Sequence, residues 1–194
     1  AYDYITFFEN LGFIVILIPN NTSKLEQYTK FSNISLIVLV GGNNVHPSLY
    51  TTDKQAVTDT YLERDKLESN LIKHAITTKT PILGICKGAQ LINCHFQGSL
   101  TTNLSGHVAK DHELTATDKE YSYLNKENTN SYHEQGILSK DLASCLKSIA
   151  KSGDDTIECF THKEFPIMGI QWHPERQEKK FDQDLIINFI KEKL

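Results

Sequence analysis

The segment Pro81-Ile82-Leu83-Gly84-Ile85-Cys86-Lys87-Gly88-Ala89-Gln90 constrains the fold more than any other part of the chain. Its first half is a continuous apolar run, which suits a strand covered on both faces, as in a parallel sheet. It passes directly into residues 88–96, which read as a helix. Other segments repeat the pattern. Residues 36–40 form an apolar run closed by Gly41-Gly42, and residues 62–76 carry a helical stripe of Leu67, Leu71, Ile72, Ala75 and Ile76. Ile5, Phe8 and Leu11 suggest a helix ending at Gly12, and residues 13–18, closed by Pro19, read as another buried strand. Residues 149–150, 156–160 and 167–172 look like later strands, residues 100–132 like hairpins and loops. Residues 181–194 form an amphipathic helix with Leu185, Ile186, Phe189 and Ile190 on one side. Buried strands alternating with helices predict an α/β fold: three layers, a mostly parallel sheet flanked by helices.

At 194 residues the chain suits one domain spanning 1–194, with the whole site inside it and no second catalytic domain. Lys plus Arg number 20 and Asp plus Glu 24, and only Arg64 and Arg176 are arginines. The net charge of −4 argues against nucleic acid as a partner, which would call for a basic face. No apolar run approaches the roughly 20 residues of a membrane span, and the start lacks the basic-then-apolar order of a signal peptide. Cys86, Cys94, Cys145 and Cys159 form no C-x-x-C pair and suit reduced thiols in the cytoplasm.

In open sheets of this kind, sites gather at the carboxyl ends of strands, where Gly41-Gly42, Cys86 and His173 all fall. Cys86 lies between glycines two before and two after it, the thiol counterpart of a G-x-S-x-G turn. Such a turn pushes the side chain into the cleft, and the helix N-terminus behind it favours the thiolate. A thiolate nucleophile needs an acid/base partner. His173 follows a strand, and Glu175, two residues on in extended chain, points to the same side and can orient the imidazole. Cys94, one helix stretch further on, reads as core. The spacing of His107, Asp111 and His112 fits no compact ligand set, so no metal is expected. Glu63-Arg64-Asp65 precedes a helix and suits support of the glycine loop, while His46-Pro47 suits a surface turn or the pocket mouth.

Residues 84–90 together with Trp172-His173-Pro174-Glu175 resemble the class I glutamine amidotransferase-like superfamily. Gly41-Gly42-Asn43-Asn44-Val45-His46-Pro47 and Asn130-Ser131-Tyr132-His133-Glu134-Gln135 look like its γ-glutamyl hydrolase branch, peptidase family C26. The four motifs occur in the family's order. The resemblance implies Cys86 as nucleophile, His173 as base and then acid, and Glu175 as its orienter. It implies an oxyanion hole from the backbone N–H groups of Gly42 and Lys87, with Gln90 holding the glutamyl head group. Ser131, Tyr132, His133 and Glu134 would form the facing wall. No cofactor is implied. Lys87 stands where the family usually has Arg, Asn44 where it has Asp, and Glu134 where it often has a second His. The latter two bear on the leaving group. The family also begins with a strand before the first helix, and this chain starts at about that helix.

The resemblance implies a small-molecule γ-glutamyl substrate, cleaved at its C–N bond with release of glutamate. The compact size is similar to short C26-like proteins of bacterial surface-polysaccharide clusters, one type of which acts on the nucleotide-linked γ-glutamyl-CDP-amidate in capsule modification. γ-Glutamyl-γ-aminobutyrate is the second substrate class. A glutaminase subunit delivering ammonia to a separate synthase is the alternative function, and a homodimer stays open.

Overall fold

In a computed structural model the described residues are 2–20, 23–30, 34–51 and 57–191. In chain order the elements are α1 (Tyr2–Asn10), α2 (Leu25–Thr29), β1 (Ile37–Leu39), α3 (Leu62–Thr78), β2 (Ile82–Ile85), α4 (Lys87–His95), β3 (Val108–Glu113), β4 (Thr115–Ala116), β5 (Asn128–Tyr132), β6 (Leu146–Lys151), β7 (Ile157–His162), β8 (Ile167–Ile170) and α5 (Lys180–Lys191). Among them the main sheet has six strands in the order β1-β2-β8-β7-β6-β4, and β3 and β5 pair separately. β1, β2 and β8 run parallel; β8 to β4 is antiparallel. The parallel part is therefore confined to three strands, and the sheet is mixed.

Strand alternation builds the three layers. Ile82 and Ile167 face one side, where they join Leu71, Ile72 and Ala75 of α3 and Leu91 and Ile92 of α4. Leu83, Ile85, Met168 and Ile170 face the other, against Phe7 and Phe8 of α1 and Leu185, Ile186 and Phe189 of α5. Both faces of the central strands are thus covered, which explains their unbroken apolar runs. The helix expected over 181–194 is α5, and its last three positions lie outside the described residues.

Residues 13–18 depart from expectation. They form no strand and are not buried: Ile14 is 95% exposed, Ile16 52% and Leu17 61%. Phe13 and Val15 pack partly on the α1/α5 core, so the segment is extended chain with one half-covered face. A cavity of about 520 Å³ separates it from β1, and without a strand at pairing distance an apolar run cannot be buried on both sides.

Candidate functional site

The three parallel strands end at one place. Register pairs Leu39 with Gly84 and Gly84 with Gly169, so Gly41 and Cys86 leave the sheet level with each other and His173 follows two residues beyond the matching point of β8. Cys86 connects β2 to α4 with φ +51° and ψ −107°, outside the regions a non-glycine residue ordinarily occupies. Strain of this kind costs on the order of 1–3 kcal/mol and persists only where the surroundings impose it. Here they do: the Cys86 N–H donates to Ile170 O at 2.8 Å, and its carbonyl accepts the first helical bond, from Gln90 N. The glycines around it allow close approach, since a Cβ on Gly88 would stand 2.1 Å from Leu39 O. The N–H of Lys87, at the first position of α4, has no intrahelical acceptor and is free to meet an anion.

His173 and Glu175 follow β8. The imidazole Nδ1 is 2.7 Å from Glu175 Oε1, in a buried pair. A Cβ added at Gly41 would lie 2.7 Å from His173 Cε1 and 3.6 Å from Cys86 Cβ, so loop, thiol and imidazole converge on one point. Burial disfavours the charged imidazole, but hydrogen bonds to Cys86 and Glu175, with their charges, outweigh it and raise the His173 pKa to about 9. The arrangement favours an imidazolium beside the thiol.

Three residues hold His173 and the loop, and of these the sequence alone pointed only to Arg64. The Tyr4 hydroxyl, on α1, accepts from Gly41 N at 3.1 Å and lies 3.2 Å from His173 Nδ1. Burial, then the nearby Glu175 charge, push its pKa upward, keeping the phenol neutral. Asn130 clasps the His173 backbone: its Nδ2 donates to His173 O and its Oδ1 accepts from His173 N, both at 2.8 Å. Arg64 donates from Nη2 to Val40 O at 2.6 Å and Gly41 O at 3.1 Å, fixing the loop that leads to Gly42. The one signal for Asn130 was its place in the third motif; Tyr4 carried none.

Arg64 and Asp65 lie inside the first turn of α3 rather than before it, and their support of the loop matches the expectation. Asp65 accepts from His46 N at 2.9 Å, and His46 caps the 3-10 turn Pro47–Leu49, the surface-turn reading. Lys87 contributes more than its N–H. Its ammonium is buried between Asp65, at 2.6 Å, and Glu68, which also pairs with Arg64 at 2.7 Å.

The wall segment divides by strand alternation. Tyr132 is exposed and faces His173 edge-on, with ring centroids 6.0 Å apart and the Arg176 guanidinium 4.1 Å above its ring. Glu134 borders a polar depression of about 350 Å³, with Asn44, Thr58, Thr102 and Asn103. The expectation that Ser131 and His133 line the cleft does not hold. Ser131 is fully buried and donates to His107 O at 2.7 Å, and His133 turns inward against the His107 ring. Gln90 is buried too, with Nε2 donating to Gln135 O at 2.7 Å instead of reaching the cleft surface. Cys94 is core, as expected, and the four cysteines are unpaired.

A buried cysteine on a strained strand-to-helix turn, beside a histidine paired with a carboxylate at the carboxyl edge of the parallel strands, defines a class by its architecture: α/β proteins with a thiol–imidazole–carboxylate cluster at the sheet edge. Comparison narrows it. The peptidase C26 family model matches residues 1–175. The chain therefore belongs to the peptidase C26 family, within the class I glutamine amidotransferase-like fold, and with it among hydrolases of carbon–nitrogen bonds. The Lactococcus lactis glutamine amidotransferase-like protein YvdE is 34% identical over 89% of this chain and 78% of its own length. The γ-glutamyl-CDP-amidate hydrolase of Campylobacter jejuni is 33% identical over 74% of this chain and 64% of its own. A solved structure from Thermoplasma acidophilum, described as a GMP synthase subunit, superposes with a TM-score of 0.74 at 23% identity, covering 98% of this chain and 86% of that one. No helix among the described residues is long and apolar enough to cross a membrane.

Proposed function

We propose that residues 1–194 act as one catalytic domain that hydrolyses a γ-glutamyl C–N bond through covalent catalysis at Cys86. The convergence of Cys86, the His173–Glu175 pair and the glycine loop on one point carries this reading. The thiolate attacks the γ-carbonyl carbon, and the oxyanion collects between the N–H groups of Gly42 and Lys87, each such donor contributing about 10²-fold or more. The C–N bond then breaks while the His173 imidazolium gives its proton to the leaving nitrogen. Water loses a proton to His173 and adds to the thioester; C–S cleavage releases glutamate and restores the thiolate. Glu175 orients the ring throughout. No metal or organic cofactor takes part.

For the substrate, the identity with the Campylobacter hydrolase favours a nucleotide-linked γ-glutamyl amide, γ-glutamyl-CDP-amidate. The exposed Tyr132 and Arg176 at the rim suit a base and a phosphate. Among the described residues the depression beside Glu134 has no basic side chain in its lining and suits an uncharged part of the leaving group. A second reading, a glutaminase that supplies a separate synthase, is favoured by the amidotransferase-like Lactococcus relative. Glutamate release from glutamine, γ-glutamyl-γ-aminobutyrate and γ-glutamyl-CDP-amidate separates them. The nucleotide-linked substrate is expected to turn over fastest, and Cys86→Ala is expected to abolish all turnover. Retained activity in Cys86→Ala would overturn the mechanism. Glutamine as best substrate only in the presence of a synthase would establish the second reading.

A further inference from the structure

Behind the wall strand β5 lies a second cluster of titratable groups that the reaction above does not use. His107, His133 and Glu158 each offer one donor atom, and these atoms all lie within 4.8 Å of one another. All three residues are buried, Glu158 completely. Among the described residues, His107 Nδ1, His133 Nε2 and both Glu158 carboxylate oxygens have no hydrogen-bond partner. Buried polar groups are nearly always paired, and an ionised carboxylate without a donor is the costliest exception.

Hydrogen bonds fix which nitrogens face the cluster. His133 Nδ1 lies 2.8 Å from Gln135 O; a carbonyl can only accept, so Nδ1 carries the proton and Nε2 turns its lone pair inward. His107 Nε2 lies 2.7 Å from Asp154 Oδ2 and so carries a proton; in the neutral ring His107 Nδ1 then faces the cluster as a lone pair. When Glu158 is ionised, two acceptor nitrogens and a carboxylate therefore point at one another with nothing donating between them. His107 Nδ1 and Glu158 Oε1 are 4.0 Å apart, too far for a hydrogen bond. The Ser152 hydroxyl, beside Glu158, is held 2.8 Å from Asp154 Oδ1.

We propose that His107, His133 and Glu158 bind a divalent transition-metal ion, zinc by ligand type. Two imidazoles and one carboxylate form a set suited to zinc, with bonds of about 2.0–2.2 Å. Donors at those lengths in a tetrahedron stand about 3.3 Å apart, so the His107–Glu158 pair closes with shifts of a few tenths of an ångström per side chain. Asp154 and the Gln135 carbonyl hold the outer nitrogens of the two rings, as carboxylates and carbonyls behind metal-bound histidines do. Gln171 Oε1 and His112 Nε2, also buried and unpartnered, stand with water as choices for the fourth position: Gln171 N bonds Glu158 O, and the His112 ring is 4.3 Å from that of His107. Asp154 is half exposed and marks the side from which an ion enters. The role is structural. Glu158 belongs to β7 in the main sheet, whereas His107 and His133 flank the small sheet that carries Asn130 and Tyr132. One ion would fasten that sheet behind His173.

The test uses the whole chain, stripped with a chelator, dialysed and checked for folding by circular dichroism. Zinc alone is then titrated against a chromophoric chelator, and Co²⁺ is added separately to read the absorption of a tetrahedral site. About one equivalent of zinc is expected, with a visible Co²⁺ band and a rise in melting temperature on adding zinc. Glu158→Gln and His133→Gln are expected to lose binding, Asp154→Asn to weaken it about 10–100-fold, and Cys86→Ala to leave it unchanged. Should Glu158→Gln fail to fold, the half-exposed Asp154→Asn and the wild-type Co²⁺ spectrum decide. A folded wild-type chain that takes up under about a tenth of an equivalent would overturn the site. So would binding that survives Glu158→Gln, or that disappears in Cys86→Ala, which would place zinc on the thiol.

Discussion

Two buried polar clusters flank the candidate site and differ in one respect. Under the glycine loop, Arg64, Asp65, Glu68 and Lys87 supply two cations and two carboxylates, and each charge has an opposite partner. Their remaining donors and acceptors reach the loop itself, at Val40 O, Gly41 O and His46 N. Under the wall, His107, His133 and Glu158 offer acceptors only. Burial with no compensating charge pushes the Glu158 carboxyl up to about 8 and the His133 imidazole down to about 3. A closed set of charges can hold a loop unaided. A set of this kind gains cohesion from a proton kept on Glu158 or from a bound cation.

Glu68→Ala gives the largest expected effect. It leaves Lys87 with Asp65 alone and Arg64 with no carboxylate partner in a dry site, and removing one member of a buried ion pair costs about 3–5 kcal/mol. Urea denaturation would read this as a lower midpoint at unchanged slope; a loss under about 1 kcal/mol would mean that the closed network carries little stability.

Glu175→Gln comes next and acts on activity. In the wild type His173 stays protonated up to about pH 9, so the alkaline limb of the rate profile falls near that value. Removing the carboxylate charge takes away a contribution that raises the pKa. The limb therefore moves to lower pH, and the maximal rate drops about 10²-fold or more as ring orientation is lost. An unmoved limb would separate Glu175 from His173.

Glu158→Gln in chelator-treated protein is expected to change stability by less than about 1 kcal/mol, or to raise it above pH 8, because a neutral amide removes a carboxylate that nothing satisfies. A loss as large as that of Glu68→Ala would show the two clusters to be alike. Smallest is Arg176→Ala. Its guanidinium over Tyr132 is partly exposed, so stability should shift by under about 1 kcal/mol. A raised KM for the nucleotide-linked substrate with kcat little changed would show that Arg176 binds it.

Much of the fold and site was legible where one stretch of chain carries the signal. The apolar run into Cys86 predicts β2, the turn and α4, because strand, glycine spacing and helix are adjacent in sequence. His173 and Glu175 do meet, at 2.7 Å, but through a 3-10 turn over Pro174–Arg176 and not through the extended chain expected. Residues 13–18 misled because burial belongs to a strand's neighbours, not to the run itself. Ser131 and His133 misled because a motif names residues without saying which face of the pleat they take.

By itself, then, the sequence determined the α/β class and the strand-to-helix turn at Cys86, both set by short-range periodicity and backbone geometry, and placed His173 and Glu175 close enough in the chain to meet. Only the tertiary structure decided that Tyr4 meets His173 across 169 residues, that Lys87 is sealed between Asp65 and Glu68, and that His107 and His133 face Glu158. Those contacts depend on how separate strands stack and which way each pleat turns, and long-range packing leaves no periodic mark on the chain.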